Sequence, residues 1–108
     1  MNTQIHFTYK DVPYTLEYNR EAIRAMENEG FVVSDFVKSP AMSLDIAFKG
    51  AFLKNHRKIN LKLIEEIYEH MKNKEELAQT LIEMIAACYD TLLDDSKGNI
   101  EWSTAEIQ

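Results

Sequence analysis

The sequence has little cysteine, glycine or proline, and no long hydrophobic run. Its 108 residues include 1 Cys, 3 Gly and 2 Pro. A single Cys excludes a disulfide framework within the chain and a Cys-rich zinc site. The low Gly and Pro content argues against collagen-like and low-complexity proteins. No apolar run approaches the roughly 20 residues of a transmembrane helix, and residues 1–4 lack the features of a signal peptide. We therefore expect a cytoplasmic protein without a membrane segment.

The composition and charge of the chain indicate a single acidic domain. The chain is 45% hydrophobic and 28% charged, which is typical of a folded protein of this length. Its formal net charge is −6, and residues 55–108 hold 6 basic and 11 acidic groups. Because nucleic-acid binding depends on neutralising phosphates, we expect no nucleic-acid partner. The densest basic stretch, residues 54–58, is interpreted as a solvated turn between helices, with a phosphate or acidic-partner patch as the alternative.

The N-terminal segment alternates between apolar and polar residues, which predicts a β-hairpin over residues 4–18. The apolar positions of its two strands are Ile5, Phe7 and Tyr9, then Tyr14, Leu16 and Tyr18. Residues 10–13 contain no Asn-Gly or Asp-Gly pair, so a very tight turn is not indicated, and Pro13 should lie in the turn or at a sheet edge. Since a lone hairpin is marginally stable, we expect it to pack on helices.

Helical periodicity and capping residues predict about four helices after the hairpin, over residues 20–28, 40–54, 61–71 and 74–94. The expected N-caps are Asn19, Ser39, Asn60 and Asn73, the last in a capping box with Glu76. Residues 34–37 are compatible with one extra helical turn. Gly30 should end the first helix, and Gly50 is interpreted as a point of close helix packing. The predicted fold is α+β: a hairpin on a bundle of about four helices as one domain over residues 1–95, with a tail over residues 96–108.

Few residues suggest chemistry. Glu66 and His70 are spaced four apart on one helix, but a metal site would need ligands from a second helix, so an exposed helix face ending in a His is the favoured interpretation. Cys88 lies on an apolar helix stripe, and we expect a buried structural thiol. We therefore predict no catalytic residues, no metal, no cofactor and no enzymatic activity.

The candidate partner-binding residues are Ile100 and Trp102, which stand in a polar segment near the C-terminus. Trp102 has two interpretations. It folds back onto the helices, which is the favoured one, or it anchors a partner, since Trp is enriched in interface hot spots.

The order of several short motifs resembles a known family. In chain order they comprise Phe7-Thr8-Tyr9, Tyr14-Thr15-Leu16-Glu17-Tyr18, Met26-Glu27 with Gly30-Phe31, Gly50-Ala51-Phe52 with His56-Arg57, Asn73-Lys74-Glu75-Glu76-Leu77, and Gly98-Asn99 with Glu101-Trp102. The order and spacing are similar to those of tail assembly chaperones encoded by tailed phages and Gram-positive prophages.

The resemblance implies a non-catalytic role in virion assembly in the host cytoplasm. Such chaperones coat the long, helix-rich tape-measure protein, keep it soluble and help to recruit tail-tube subunits, and a homo-oligomer is possible. The negative charge by itself suggests an alternative function: a small acidic phage or bacterial regulator that binds and inhibits a host protein.

Overall fold

The computed structural model describes residues 3–105, in which an antiparallel two-stranded hairpin precedes five helices. The elements are β1 (Ile5–Tyr9), β2 (Val12–Leu16), α1 (Arg20–Asn28), α2 (Val33–Lys38), α3 (Pro40–Ala51), α4 (Leu61–His70) and α5 (Lys74–Leu92). The predicted α+β class is confirmed.

The hairpin turn is tighter than the sequence indicated. Only Lys10 and Asp11 connect the strands, and both have positive φ, of 49° and 67°. Two left-handed residues form the mirror-image turn whose twist matches that of paired strands. Pro13 lies in β2 opposite Thr8, in a two-stranded sheet where each strand is an edge.

The apolar face of the hairpin packs against the end of α3. Phe7 and Tyr14 stack across the strands at 5.3 Å between ring centroids. The Phe52 ring packs in a T-shaped arrangement with each, at 6.4 Å and 6.0 Å between centroids, and is itself fully buried. Leu16 is also fully buried, so the predicted inward face of the hairpin is confirmed.

Two of the four predicted side-chain caps are present. The Asn19 side chain accepts a hydrogen bond from the backbone N–H of Ala22 at 2.8 Å, and that of Asn60 accepts one from Lys62 at 2.7 Å. Ser39 precedes Pro40 as predicted, but its side chain makes no cap bond. The capping box at Asn73 is wrong, because Asn73 is left-handed (φ 56°, ψ 56°) and a capping side chain needs an extended backbone.

Three helices end earlier than predicted, and the structure contains one more helix than was predicted. Helix α3 ends at residue 51 rather than 54, because its last turn tightens: Phe52 N–H donates to Lys49 and Leu53 N–H donates to Gly50. Helix α4 ends at residue 70 rather than 71, and α5 at 92 rather than 94. The segment read as at most one turn is the six-residue helix α2, which places Phe36 in the core with no exposed surface.

The basic segment over residues 54–58 fastens the end of α3 to the strand and helix before it. Lys54 pairs with Glu17 at 2.7 Å, and Arg57 pairs with Glu21 at 2.5 Å. The backbone N–H of Thr15 donates to Nε2 of His56 at 3.0 Å. Lys54 and Arg57 nevertheless stay exposed in the turn between α3 and α4, so the solvated-turn interpretation is confirmed, while the phosphate or acidic-partner patch is not tested.

Gly50 confirms the prediction of close helix packing. A Cβ at this position would lie 2.4 Å from Sδ of Met26, whose side chain is fully buried on α1. The missing side chain is therefore what allows α1 and α3 to approach.

We predict that Gly50→Ala lowers the free energy of unfolding by about 1–3 kcal/mol, because overpacking exceeds the helix-propensity gain of Ala. Chemical denaturation measures the change. In a Met26→Ala background the same substitution should cost less than in the wild type, since the opposing sulfur is gone. Equal costs in the two backgrounds would contradict the contact.

Candidate partner-binding surfaces

The segment after α5 carries both sequence-predicted binding residues, and it leaves them in solvent. Ile100 is 84% exposed and Trp102 is 82% exposed. The favoured fold-back of Trp102 is therefore wrong. The preceding turn is held by local contacts, in which Ser96 N–H donates to the Asp94 carboxylate at 3.0 Å and Gly98 N–H donates to the Asp95 carbonyl at 2.8 Å. Neither contact draws the tail toward the helices.

A groove of about 530 Å³ lies between α3 and α4. Apolar side chains from both helices line it: Ile46, Phe48, Leu61, Ile64 and Tyr68. Phe48 and Ile64 belong to the core, whereas Leu61 is 53% exposed. The groove thus opens part of the hydrophobic interior to solvent.

Carboxylates surround this groove. Lys49 of α3 pairs with Glu29 beside it. Asp45, Glu65 and Glu69 also line the groove, and none of the three forms an ion pair or side-chain hydrogen bond with another residue in the described range 3–105. The groove therefore combines an apolar floor with a negative rim.

A second cleft, of about 730 Å³, lies between α3 and the start of α5. Pro40 and Leu44 contribute from α3, and Ala78 contributes from α5. Tyr68 lines this cleft and the α3–α4 groove alike. Its ring is held against Phe48 at 5.4 Å, and the Lys74 ammonium lies 5.1 Å from its centroid.

Glu66 and His70 take a structural role at the hairpin turn. The Tyr9 hydroxyl donates to Glu66 at 2.5 Å, and the Lys10 ammonium lies 3.1 Å from the same carboxylate oxygen. The Nδ1–H of His70 donates to the Glu66 carbonyl at 2.8 Å. Among residues 3–105, no group of three or more His, Cys, Asp or Glu is arranged to hold a metal ion. Glu66 therefore fastens the hairpin to α4, whereas His70 bonds within its own helix and lies beside the Tyr9 ring, at 5.7 Å between centroids.

These contacts shift the ionisation of the groups involved. The hydrogen bonds from Tyr9 and Lys10 lower the pKa of Glu66. The hydrogen bond to Glu66 raises the pKa of Tyr9 and that of Lys10. On the other side of the hairpin, the hydrogen bond from Lys54 lowers the pKa of Glu17.

Cys88 is half-buried rather than fully buried, at the wall of a third cleft that also contains Tyr18 and Met84. Burial raises the pKa of its thiol. A raised pKa disfavours the thiolate, which is the nucleophilic form.

Comparison with known proteins places the chain in a family. The sequence profile described as "Domain of unknown function (DUF5055)" matches residues 1–106. The chain belongs to the DUF5055 family. No curated protein and no solved structure shows significant similarity to this DUF5055 chain. A search of residues 3–105 finds no helix with the length and apolar character needed to cross a membrane.

The α3–α4 groove of this DUF5055 chain was missed by sequence reasoning. Leu61 shares the helical spacing of Ile64 and Tyr68, but its side chain is 53% exposed and lines the groove. The groove could have been predicted from the number of apolar residues on α4. The helix has more of them than the core buries, so some must lie at the surface.

We predict that acid destabilises the DUF5055 domain through Glu66 and Glu17. A carboxylate whose pKa is lowered in the folded state stabilises the fold above its ordinary pKa of 4.5, and this contribution is lost as the pH falls through the lower, folded value. In thermal melts, Glu66→Gln should be less stable than the wild type near neutral pH. As the pH falls, the variant should lose less stability than the wild type does. Glu65→Gln is the matched control, and an equally altered profile for it would contradict the assignment.

We also predict that Trp102 fluorescence reports a solvated indole. The chain has 1 Trp, so the emission is unambiguous. Emission should be red-shifted, quenched by acrylamide almost as efficiently as a free tryptophan amide, and little changed by urea. A blue-shifted and protected signal in the isolated protein would contradict the exposed position.

Proposed function

We propose that this protein is a non-catalytic assembly chaperone of the kind found in tailed phages and prophages, which binds helical segments of a tape-measure protein in the host cytoplasm and assists assembly of the tail tube. The observation that carries the proposal is the uncovered apolar surface on the two sides of Tyr68. Grooves between helices are common seats for an amphipathic helix, whose apolar face replaces the missing neighbour.

The exposed tail supplies a second contact. Ile100 and Trp102 present large apolar side chains on a segment that is free of the helices. A Trp that is solvated in the free protein gains burial when a partner covers it, which is the usual behaviour of an interface anchor. Groove and tail together would hold a long partner at two places.

The reactive side chains support a binding role over a catalytic one. His56 accepts a backbone hydrogen bond, and His70 donates one to its own helix. The Cys88 thiol is disfavoured as a thiolate by burial. The two His side chains thus make structural hydrogen bonds, and the Cys88 thiol is kept in its protonated, unreactive form.

A second candidate is an acidic inhibitor of a host protein. The exposed carboxylates Asp45, Glu65 and Glu69 favour it, since an acidic surface can occupy a basic site on another protein. Salt distinguishes the candidates, because attraction between exposed charges is screened, whereas apolar burial persists.

The test is co-expression with the neighbouring tape-measure gene, followed by measurement of the soluble fraction of the tape-measure protein. We expect the wild type to keep that protein soluble and to remain associated with it at high salt. Ile100→Ala/Trp102→Ala should reduce the recovered complex several-fold, by removing two exposed anchors.

Met42→Ala is the matched control, because Met42 is an equally exposed apolar residue outside the tail, at 80%. It should leave recovery unchanged. An insoluble tape-measure protein in every case would contradict the proposal. Recovery of a defined host protein that is released by salt would favour the inhibitor.

A further inference from the structure

We infer that the α3–α4 groove binds a cationic amphipathic helix, one whose apolar stripe is flanked by Lys or Arg. The inference rests on the proposed function in that it identifies the seat of the helical partner and the chemistry which that partner must have. It is carried by the combination of an apolar floor and an unpaired acidic rim.

The floor selects a helix rather than a polar ligand. Ile46 of α3 and Leu61 of α4 both line the groove, and Tyr68 lines the groove and the second cleft. A volume of about 530 Å³ accommodates several apolar side chains, and residues at i, i+3 and i+4 of one helix reach such a floor together.

The rim selects the charge of the occupant. Asp45 stands on the α3 side, and Glu65 and Glu69 stand on the α4 side. Glu65 and Glu69 are four residues apart on one helix, so their side chains stand about one turn, or 6 Å, from each other. Two basic residues spaced four apart on a helix lying along α4 would match them.

The same charges argue against this chain's own tail as the occupant. The segment around Ile100 and Trp102 carries Asp94, Asp95 and Glu101 against the single cation Lys97. An acidic tail from this copy or a second copy would meet the acidic rim with like charge. A cationic helix from another protein removes that repulsion and gains three ion pairs.

The probes for the test are two labelled peptides of about 18 residues, long enough to form helix on binding. They share one Leu stripe and differ only in whether Lys or Glu flanks it. Fluorescence anisotropy should show the Lys peptide binding at least tenfold more tightly than the Glu peptide at low salt. The preference should shrink at about 1 M salt, where the Debye length is about 3 Å.

The rim variant is Asp45→Asn/Glu65→Gln/Glu69→Gln. It should weaken binding of the Lys peptide about tenfold, as expected for three exposed ion pairs. The floor variant Leu61→Gln should weaken it to a similar degree at low and at high salt. All four positions are exposed, so circular dichroism and melting should show both variants folded.

The control triple Glu27→Gln/Glu83→Gln/Asp90→Asn removes the same net charge from exposed positions outside both the groove and the tail. It should bind like the wild type. Equal losses in the two triples would overturn the inference, because net charge alone would then explain binding. Equal affinity for the two peptides would also overturn it, as would a stable dimer of the wild type that Leu61→Gln dissociates, since the groove would then be a self-interface.

Failure here is distinguishable from failure of the proposed function. If the rim variant still keeps the tape-measure protein soluble and binds the Lys peptide normally, the groove assignment is wrong and the chaperone role stands. If the rim variant loses the Lys peptide but the wild type does not associate with the tape-measure protein, the groove assignment stands and the chaperone role is wrong.

Discussion

The packing of Phe52 is the contact on which the rest of the domain depends. Its ring makes T-shaped contacts with Phe7 and Tyr14 on the hairpin, and its centroid lies 5.2 Å from that of Phe48 on α3. A two-stranded hairpin does not hold itself together in water. Aromatic pairs of this geometry each contribute about 0.5–1.5 kcal/mol beyond the burial of their area. Phe52 therefore joins the sheet and the helices into one domain.

The aromatic contacts continue from this residue to the binding surfaces. Phe48 packs on Phe52 and also on Tyr68, whose ring lines both apolar clefts. Helix α4 is held from the hairpin side as well, through Tyr9 and Glu66. Neighbouring positions of α4 thus serve different purposes: Glu66 fixes the helix in place, while Glu65 and Glu69 are left to face the groove.

The parts of the fold that local chemistry decides could be predicted from the sequence. Alternation in the first 18 residues indicated the hairpin, and Asn19 and Asn60 marked true helix starts. The turn at Lys10 and Asp11 was not predicted, because a left-handed Lys has no distinctive sequence signal. The groove was missed for a different reason. Whether Leu61 faces the core or an opening depends on where α3 lies, and that is decided by contacts distant in sequence. The role of Ile100 and Trp102 stays a prediction, although their exposure is now defined.

The position of Phe52 in the chain also orders the events of folding during synthesis. The hairpin is made first, but the ring that covers its aromatic face comes about 36 residues after β2, and the carboxylate that receives Tyr9 comes later still, in α4. Chains grow at about 5–20 residues per second, so the hairpin waits for seconds without its partner. During that interval Phe7 and Tyr14 remain accessible to other proteins in the cell. The hairpin is thus the first element to be synthesised, but the contacts that stabilise it become available only after α3 and then α4 have been made.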